Sequence, residues 1–250
     1  MQKYLLPLCV ILIASSCAPV YVPNLRNSPL FTKGGEFQGS MQIGNGLDLQ
    51  GALSVSNHIG VMTNYSFEDR SATTSSSNNN TDDYHKHKFL EGGIGYYEND
   101  GIWCYEIFGG YGKGEASSYA DYSFFSGGTS QATGKYERFF VQPAFGINKK
   151  VMHVSFIPRF SVVNFYQFKD DVTGIVVTNV NSSAKVFVEP AVMGRVNLAN
   201  NHLFFTFQVG ATIVASPDVY FEYRSFQLGT GLGFRFGGSA SSKSKDKTTE

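Results

Sequence analysis

Two groups of residues have the types and spacing from which catalytic sites are built. The stretch Asp82–His87 places two carboxylates beside two imidazoles, and such groups polarise water or bind a metal ion. His153 and Ser155 share one face of a predicted strand, and Glu189 would supply the acid of a Ser/His/Glu site. The first group has no second Asp/His pair in the other loops, and His153 falls at the end of its strand away from the long loops. We therefore expect no catalytic residue, no metal and no cofactor.

A larger set of ionisable residues is predicted to share the inward face of separate strands. Four carboxylates and four guanidinium groups form this set, and they can neutralise one another through paired hydrogen bonds. Its members are Asp48, Glu91, Glu106, Glu189, Arg138, Arg159, Arg195 and Arg235. We interpret them as a network of salt bridges that fills a narrow lumen. A solute path is the alternative.

The elements that would position these residues are β-strands. Apolar residues alternate with small or polar ones in ten segments between Glu36 and Phe236, which is the pattern of strands with one apolar face. Short turns alternate with long polar stretches at Asp69–Lys88, Glu115–Gly134 and Lys169–Ser182. The sequence therefore predicts an all-β fold, a closed antiparallel up-and-down transmembrane β-barrel of about ten strands. Eight strands is the alternative count.

The last segment, from Phe226 to Phe236, is the predicted closing strand. Gly229, Gly231 and Gly233 lie in line on its inward face, and we interpret this row as room for the inward charges. Prolines cannot donate to a strand ladder. Bulges or irregular pairing are therefore expected at Pro143, Pro158 and Pro190.

Composition limits the class of protein. The chain has 250 residues, 16% of them charged, and a formal net charge of zero, so no basic surface indicates nucleic-acid binding. Beyond the N-terminus no run of about 18 apolar residues exists that could form a spanning helix. Cys104 is predicted to be a small lumen-facing filler, because no second thiol remains to pair with it once the N-terminus is processed.

The N-terminus has the pattern of a targeting segment. Lys3 precedes the apolar run Tyr4–Ile13, and small residues lead to Cys17. This pattern is similar to a bacterial lipoprotein signal, which implies cleavage before Cys17 and acylation of its thiol. An ordinary secretory signal cut near Cys17 is the alternative. We predict a signal peptide at 1–16, an extended tether at 17–34, a barrel at 35–237 and a disordered tail at 238–250.

Two further stretches carry a family resemblance. Gly231, Leu232, Phe234 and Phe236 resemble the assembly signal that the barrel-assembly machinery reads on a last strand. The stretch from Tyr21 to Gln38 is similar to uncharacterised Bacteroidota lipoproteins of the outer-membrane barrel type. These resemblances imply the fold and a location, lipid-anchored in the outer membrane of a Gram-negative bacterium. They imply no activity.

The function expected from the sequence is non-enzymatic. The protein would act through surface loops, or as an accessory subunit with an envelope protein partner, in contact with outer-membrane lipid. One alternative is a lipid-anchored, lipocalin-like ligand-binding barrel. Another is an enzyme, since Asp82–His87 faintly resembles outer-membrane proteases and His153, Ser155 and Glu189 resemble lipid A deacylases. The outer aromatics are read equally as partner anchors or as part of an interfacial girdle: Tyr119, Tyr122, Phe124, Phe125 and Tyr220.

Overall fold

A computed structural model describes residues 19–76, 79–121, 129–170, 175–178, 184–198 and 202–237. These parts of the chain form strands and connections. In them, no helix is both long and apolar enough to cross a membrane. The strands are β1 Phe37–Ile43, β2 Leu47–Ser54, β3 Ile59–Ser76, β4 Asn79–Asp100, β5 Trp103–Asp121, β6 Thr129–Asn148, β7 Met152–Asp170, β8 Ile175–Thr178, β9 Lys185–Leu198, β10 Leu203–Ala211, β11 Ile213–Val214 and β12 Phe226–Phe236.

The sheet closes on itself. Strand β1 pairs antiparallel with both β2 and β12, from Phe37 opposite Phe236 to Ile43 opposite Thr230. Strands β7 and β9 pair directly, and β9 continues through β10 to β12. The short β8 and β11 only extend the wall beside β7 and β9. Ten strands therefore form the barrel, as the alternation predicts, and the alternative of eight is wrong.

The outward face is an apolar belt. Leu232 on β12, Met41 on β1 and Ile94 on β4 expose 62%, 54% and 61% of their surface. On β3 and β4 the belt ends at Phe67 and Leu90, beyond which most described outward positions are charged or polar. The inward positions carry most of the buried polar groups, so the predicted assignment of faces is confirmed.

Two of the predicted long loops are largely strand. Strand β3 runs to Ser76 and β4 starts at Asn79, and the described residues between Phe67 and Lys88 are paired from Phe67 opposite Lys88 to Ser76 opposite Asn79. Strands β5 and β6 likewise extend to Asp121 and from Thr129. Backbone ladders need no apolar side chains, so a hairpin that rises into water continues without the alternation that marks a strand inside a membrane. The third long stretch contains the end of β7 and the short β8.

The three strand prolines lie side by side. Pro158 on β7 is opposite Pro190 on β9. The pairing of β7 with β6 stops between Phe160 and Phe156, at the level of Pro143. The ladder is thus interrupted between β6 and β7, where donors are missing, whereas the register shift of this pair lies at Lys135/Tyr136.

The N-terminal segment lies inside the barrel. All residues from 19 to 31 are buried, and we call them the luminal segment. The sequence predicts an extended tether at 17–34 and does not place it in the lumen, so that prediction is corrected for the residues described. Pro19 lies at the end with the long loops, where its carbonyl oxygen is 2.9 Å from His85 Nε2, and the segment runs the length of the lumen from there.

Candidate functional site

The site is the interface between the luminal segment and the inner wall of the barrel. Among the described residues, the luminal segment forms one parallel bridge, Tyr21 opposite Tyr223, and its other buried backbone groups need partners elsewhere. Pro19, Pro23 and Pro29 reduce that demand because proline carries no N–H group. The backbone of Glu222 and Arg224 bonds Val20 and Tyr21 at the start of the segment, and side chains of the wall bind the backbone farther along it.

Glutamines of the wall bind the backbone of the luminal segment. Gln208 on β10 accepts from the Arg26 N–H at 2.7 Å and donates to the Arg26 carbonyl oxygen at 2.9 Å. Its amide thus imitates a neighbouring strand. Gln50 donates to the carbonyl oxygen of Leu25 at 3.0 Å, and Gln142 to that of Asn27 at 2.7 Å. These bonds fix the register of the segment along the lumen.

Asn24 is the centre of the charged part of the interface. Its side-chain oxygen accepts from Arg138 at 2.6 Å and from Arg159 at 3.0 Å, and its nitrogen donates to Glu91 at 2.8 Å. Arg138 also forms an ion pair with Glu91, and Arg159 approaches the same carboxylate to 3.5 Å. All four side chains are buried. Buried charges remain ionised at acceptable cost only with such partners.

A second carboxylate serves the same segment. Glu189 on β9 accepts from the Tyr21 hydroxyl and, at 3.1 Å, from Ser161. It also forms an ion pair with Arg26 at 3.5 Å. Arg26 belongs to the luminal segment, so this segment itself contributes one of the charged side chains in the lumen.

The end of the lumen near the short turns holds a third group. Arg195 donates to the Pro29 carbonyl oxygen at 3.0 Å and to that of Ser28 at 3.2 Å. Glu106 accepts from the Ser28 hydroxyl and from the Leu30 N–H at 2.9 Å. Arg235 pairs with Glu36 at 3.0 Å, just before β1.

The eight ionisable residues named in the sequence analysis all lie on the inner wall. Asp48 is buried there, but it is not joined to the Glu91 group by a direct ion pair. Within the described residues, the ion pairs between members of the set join Glu91 to Arg138 and to Arg159. The others bind the luminal segment or Glu36. The predicted network of salt bridges among the eight residues therefore exists only in part. Most of its members instead bind the luminal segment, which occupies the centre of the lumen.

Sequence reasoning missed the residues that occupy the lumen. Tyr21, Asn24, Arg26 and Ser28 were assigned to a tether because the prolines around them exclude helix. One indication was available, since inward glutamines at 50, 142 and 208 have both a donor and an acceptor free for a peptide group. Two buried phenylalanines belong to the same inner surface. Phe89 and Phe204 lie under the guanidinium groups of Arg138 and Arg195, at 4.3 Å and 4.2 Å.

The glycine row of β12 has a different role from the one expected. A Cβ atom on Gly229 would lie 2.2 Å from Leu25 Cδ1 of the luminal segment, and one on Gly233 would lie 2.2 Å from Phe204 Cζ. On β3, a Cβ on Gly60 would lie 2.6 Å from the Phe31 ring. Gly229 and Gly233 thus make room for apolar side chains, whereas a Cβ on Gly231 would lie 2.2 Å from the Met41 carbonyl oxygen of the neighbouring strand. None of the three makes room for a charged side chain, so the interpretation as space for charges is wrong.

An aromatic layer covers the lumen at the loop end. Tyr21 packs with Tyr136, Phe165, Phe187 and Phe221 in one buried cluster. Tyr220 packs against this cluster, while Tyr119 stacks on Tyr84 with ring centroids 6.0 Å apart. Tyr122, Phe124 and Phe125 lie outside the described residues.

Two histidines border this layer, beyond the apolar belt. His87 Nε2 lies 2.9 Å from the Tyr136 hydroxyl oxygen, and burial lowers the pKa of His87 to about 3. His85 lies 2.8 Å from Glu68, a carboxylate that Arg224 also approaches to 3.6 Å. His85 and His87 of the Asp82–His87 stretch thus contact the residues that close the lumen.

The second candidate catalytic group is not assembled. His153 contacts Asn197 at 2.9 Å, whereas Glu189 bonds Tyr21 and Ser161. Ser155 is opposite Met193 on β9. Across the described parts of the chain, no three His, Cys, Asp or Glu side chains are placed to hold a metal ion.

Cys104 is buried in a small apolar cluster with Leu30.

The residues proposed for assembly lie at one end of the closing strand. Phe234 and Phe236 have ring centroids 5.3 Å apart, and Phe234 also packs on Phe37 of β1. Leu232 and Phe236 point outward, and Gly231 fits against the backbone of Met41. Cys17 and the tail 238–250 lie outside the described residues.

Comparison with known proteins gives distant likenesses. No protein-family model matches the chain, and no curated protein sequence matches it. Among solved structures, the translocator domain of autotransporter NalP from Neisseria meningitidis is similar with a TM-score of 0.46 and 10% identity, over 80% of this chain and 86% of that one. A trimer form of the outer-membrane protein OmpT from Vibrio cholerae follows with a TM-score of 0.25 and 6% identity, over 81% and 98%. Because these TM-scores are below 0.5, we base the fold on the strand pairing alone.

Proposed function

We propose that this chain is an outer-membrane β-barrel lipoprotein whose lumen is closed by its own N-terminal segment. It acts without catalysis, through its surface loops or as an accessory subunit of an envelope complex. The observation that carries the proposal is the occupied lumen, in which residues 19 to 31 are all buried. Acylation of Cys17 is part of the proposal and is supported by the sequence pattern.

The surface supports the membrane location. Apolar side chains at outward positions face away from the sheet on every long strand, as lipid-facing residues do in such barrels. A lipocalin-like barrel would require the reverse arrangement, with apolar residues inside. The candidate enzymatic residues are dispersed, since Glu189 and His153 have separate partners. These observations favour the first hypothesis over both alternatives.

Conductance in planar lipid bilayers tests the closed lumen. The wild-type barrel should pass no measurable ionic current. Replacement of residues 20–31 by a glycine-serine segment of the same length should produce a conducting pore. The same replacement of residues 239–250 is the control and should leave the barrel closed. A conducting wild-type protein would contradict the proposal.

Extraction tests the membrane part separately. After Cys17→Ser the protein should still need detergent for release and should still change its gel migration on heating, because the barrel itself spans the membrane. Incorporation of labelled palmitate should disappear in the same variant. Release of the variant by alkaline carbonate would support the lipid-tethered soluble alternative.

A further inference from the structure

The direction in which the luminal segment runs is defined at its first residues. Val20 N–H donates to the Glu222 carbonyl oxygen at 3.0 Å, and Arg224 N–H donates to that of Tyr21 at 3.0 Å. Glu222 and Arg224 belong to the long connection between β11 and β12. Pro19 reaches His85 on the extended part of β4. The segment therefore begins at the loop end of the barrel.

Its last residues reach the opposite end. Asn99, next to the turn between β4 and β5, donates to the Phe31 carbonyl oxygen at 2.6 Å. Gly34 N–H donates to Asn57 Oδ1, in the turn between β2 and β3, at 3.0 Å. The chain then enters β1 at Phe37. The peptide has thus crossed the whole lumen before the first strand begins.

The segment is fixed in this path. Gln208 holds both backbone groups of Arg26, and Asn24 contacts three charged wall residues. Leu25 sits over Gly229 and Phe31 over Gly60, where any larger wall residue would collide. Sliding by one residue would break all of these contacts together.

We propose that the chain passes through its own barrel, so that the processed N-terminus is presented on the cell surface and not in the periplasm. Barrels of this kind have short periplasmic turns and longer outer loops, which places Pro19 at the outer rim. Cys17 is two residues from Pro19, at most about 7 Å of chain. Acylation of Cys17 is part of the proposed function, and this step rests on it. The lipid would then enter the outer leaflet, next to the apolar belt of the same barrel.

Epitope insertion in intact cells tests the path. One variant carries a short epitope between Ala18 and Pro19. Two matched controls carry it after Ser76, at the tip of the β3–β4 hairpin, and after Asn57, in a short turn. Antibody should stain intact cells for the Ala18 and Ser76 insertions, and should reach the Asn57 insertion only after permeabilisation. Heat-modifiable migration shows that each variant has folded.

The controls separate two kinds of failure. One outcome is that the epitope after Ser76 is accessible in intact cells, while the epitopes after Asn57 and after Ala18 are both hidden. The proposal that the chain crosses its own barrel would then be wrong, and the proposed membrane barrel would be supported. If Ser76 and Asn57 behave alike, the proposed membrane placement itself is wrong.

The position of the lipid has its own readout. A protease site placed between Ala18 and Pro19 should allow external protease to remove labelled palmitate from the barrel in intact cells. The same site in the Asn57 turn should leave the label on the barrel. Retention of the label on a cleavage-competent Ala18 variant would overturn an outer-leaflet anchor.

Discussion

At the scale of single residues, Arg138 shows how charge is tolerated in the lumen. Its guanidinium group contacts Glu91, the Asn24 oxygen and the Tyr21 hydroxyl, and its plane lies over Phe89. These contacts are made by its two terminal nitrogens, whereas its Nε is buried without a hydrogen-bond partner among the described residues. The contribution of the Arg138 guanidinium group to the stability of the fold therefore depends on all of these partners.

Arg138→Met should destabilise the barrel by about 3–5 kcal/mol, because Glu91 would remain buried with less compensation. Arg70→Met is the control. Arg70 pairs with Glu68 at 3.1 Å, but its side chain is 66% exposed, so a loss of only about 0–1 kcal/mol is expected. The midpoint of heat-modifiable gel migration measures both. Equal midpoints for the two variants would contradict the assignment.

His87 makes the closure at the loop end sensitive to acid. Its pKa in the folded protein is lowered to about 3, whereas in the unfolded chain it is about 6.5. The unfolded state therefore takes up the proton first, so stability is full above about pH 6.5 and falls as the pH decreases toward 3. His87→Phe should reduce the loss of thermal stability between pH 7.5 and pH 5. An unchanged pH dependence would count against a neutral, buried His87.

At the scale of elements, the wall strands are shaped for the luminal segment. Gly229→Val would bring a side chain against Leu25, since a Cβ there lies 2.2 Å from Leu25 Cδ1. Such overpacking costs about 1–3 kcal/mol. We expect faster hydrogen exchange at residues 20–31. Gly194→Val on β9 is the matched control, because its Cβ would be 3.8 Å from Phe207 on the outward face, and exchange of the segment should not change.

The aromatic end of β12 carries the proposed assembly signal. Phe236→Ala should leave a larger fraction of the protein unassembled, measured as the heat-modifiable fraction in pulse-chase experiments. Phe226→Ala is the control, since Phe226 also faces outward, at the other end of the same strand. If both variants assemble equally slowly, loss of apolar surface explains the effect and the proposed signal is wrong.

The sequence predicted the strands of the barrel wall better than the position of the luminal segment. A strand with one face toward lipid must alternate apolar and polar residues. The sequence therefore predicted that Leu232 faces outward and Arg235 inward, and it predicted the count of ten strands. Above the belt this constraint ends, and the sequence predicts a loop at Asp69–Lys88 although the described residues of that stretch are paired. The luminal segment has no period at all. Its position follows from side chains far away in the sequence, such as Gln208, and no local pattern indicates it.

At the scale of the whole molecule, closure depends on the pairing of the first and last strands. Met41 and Leu232 are direct partners across this seam, where Cα atoms of antiparallel strands lie about 4.5–5.5 Å apart, within reach of a disulfide. In a Cys104→Ala background, Met41→Cys with Leu232→Cys should crosslink on oxidation. Met41→Cys with Phe226→Cys should not. Crosslinking of the second pair alone would require a different register.

The luminal segment also imposes an order of events during folding. Arg26 binds Gln208, a residue 182 positions later in the chain, and contacts this distant form slowly because a long loop must close first. The segment is made before any wall exists, yet it ends enclosed by all ten strands. A chain that completed the seam first would have to draw its N-terminal end through a closed barrel. We therefore expect the wall strands to close around a segment that is already in place, so that the N-terminal peptide acts as a template for the barrel.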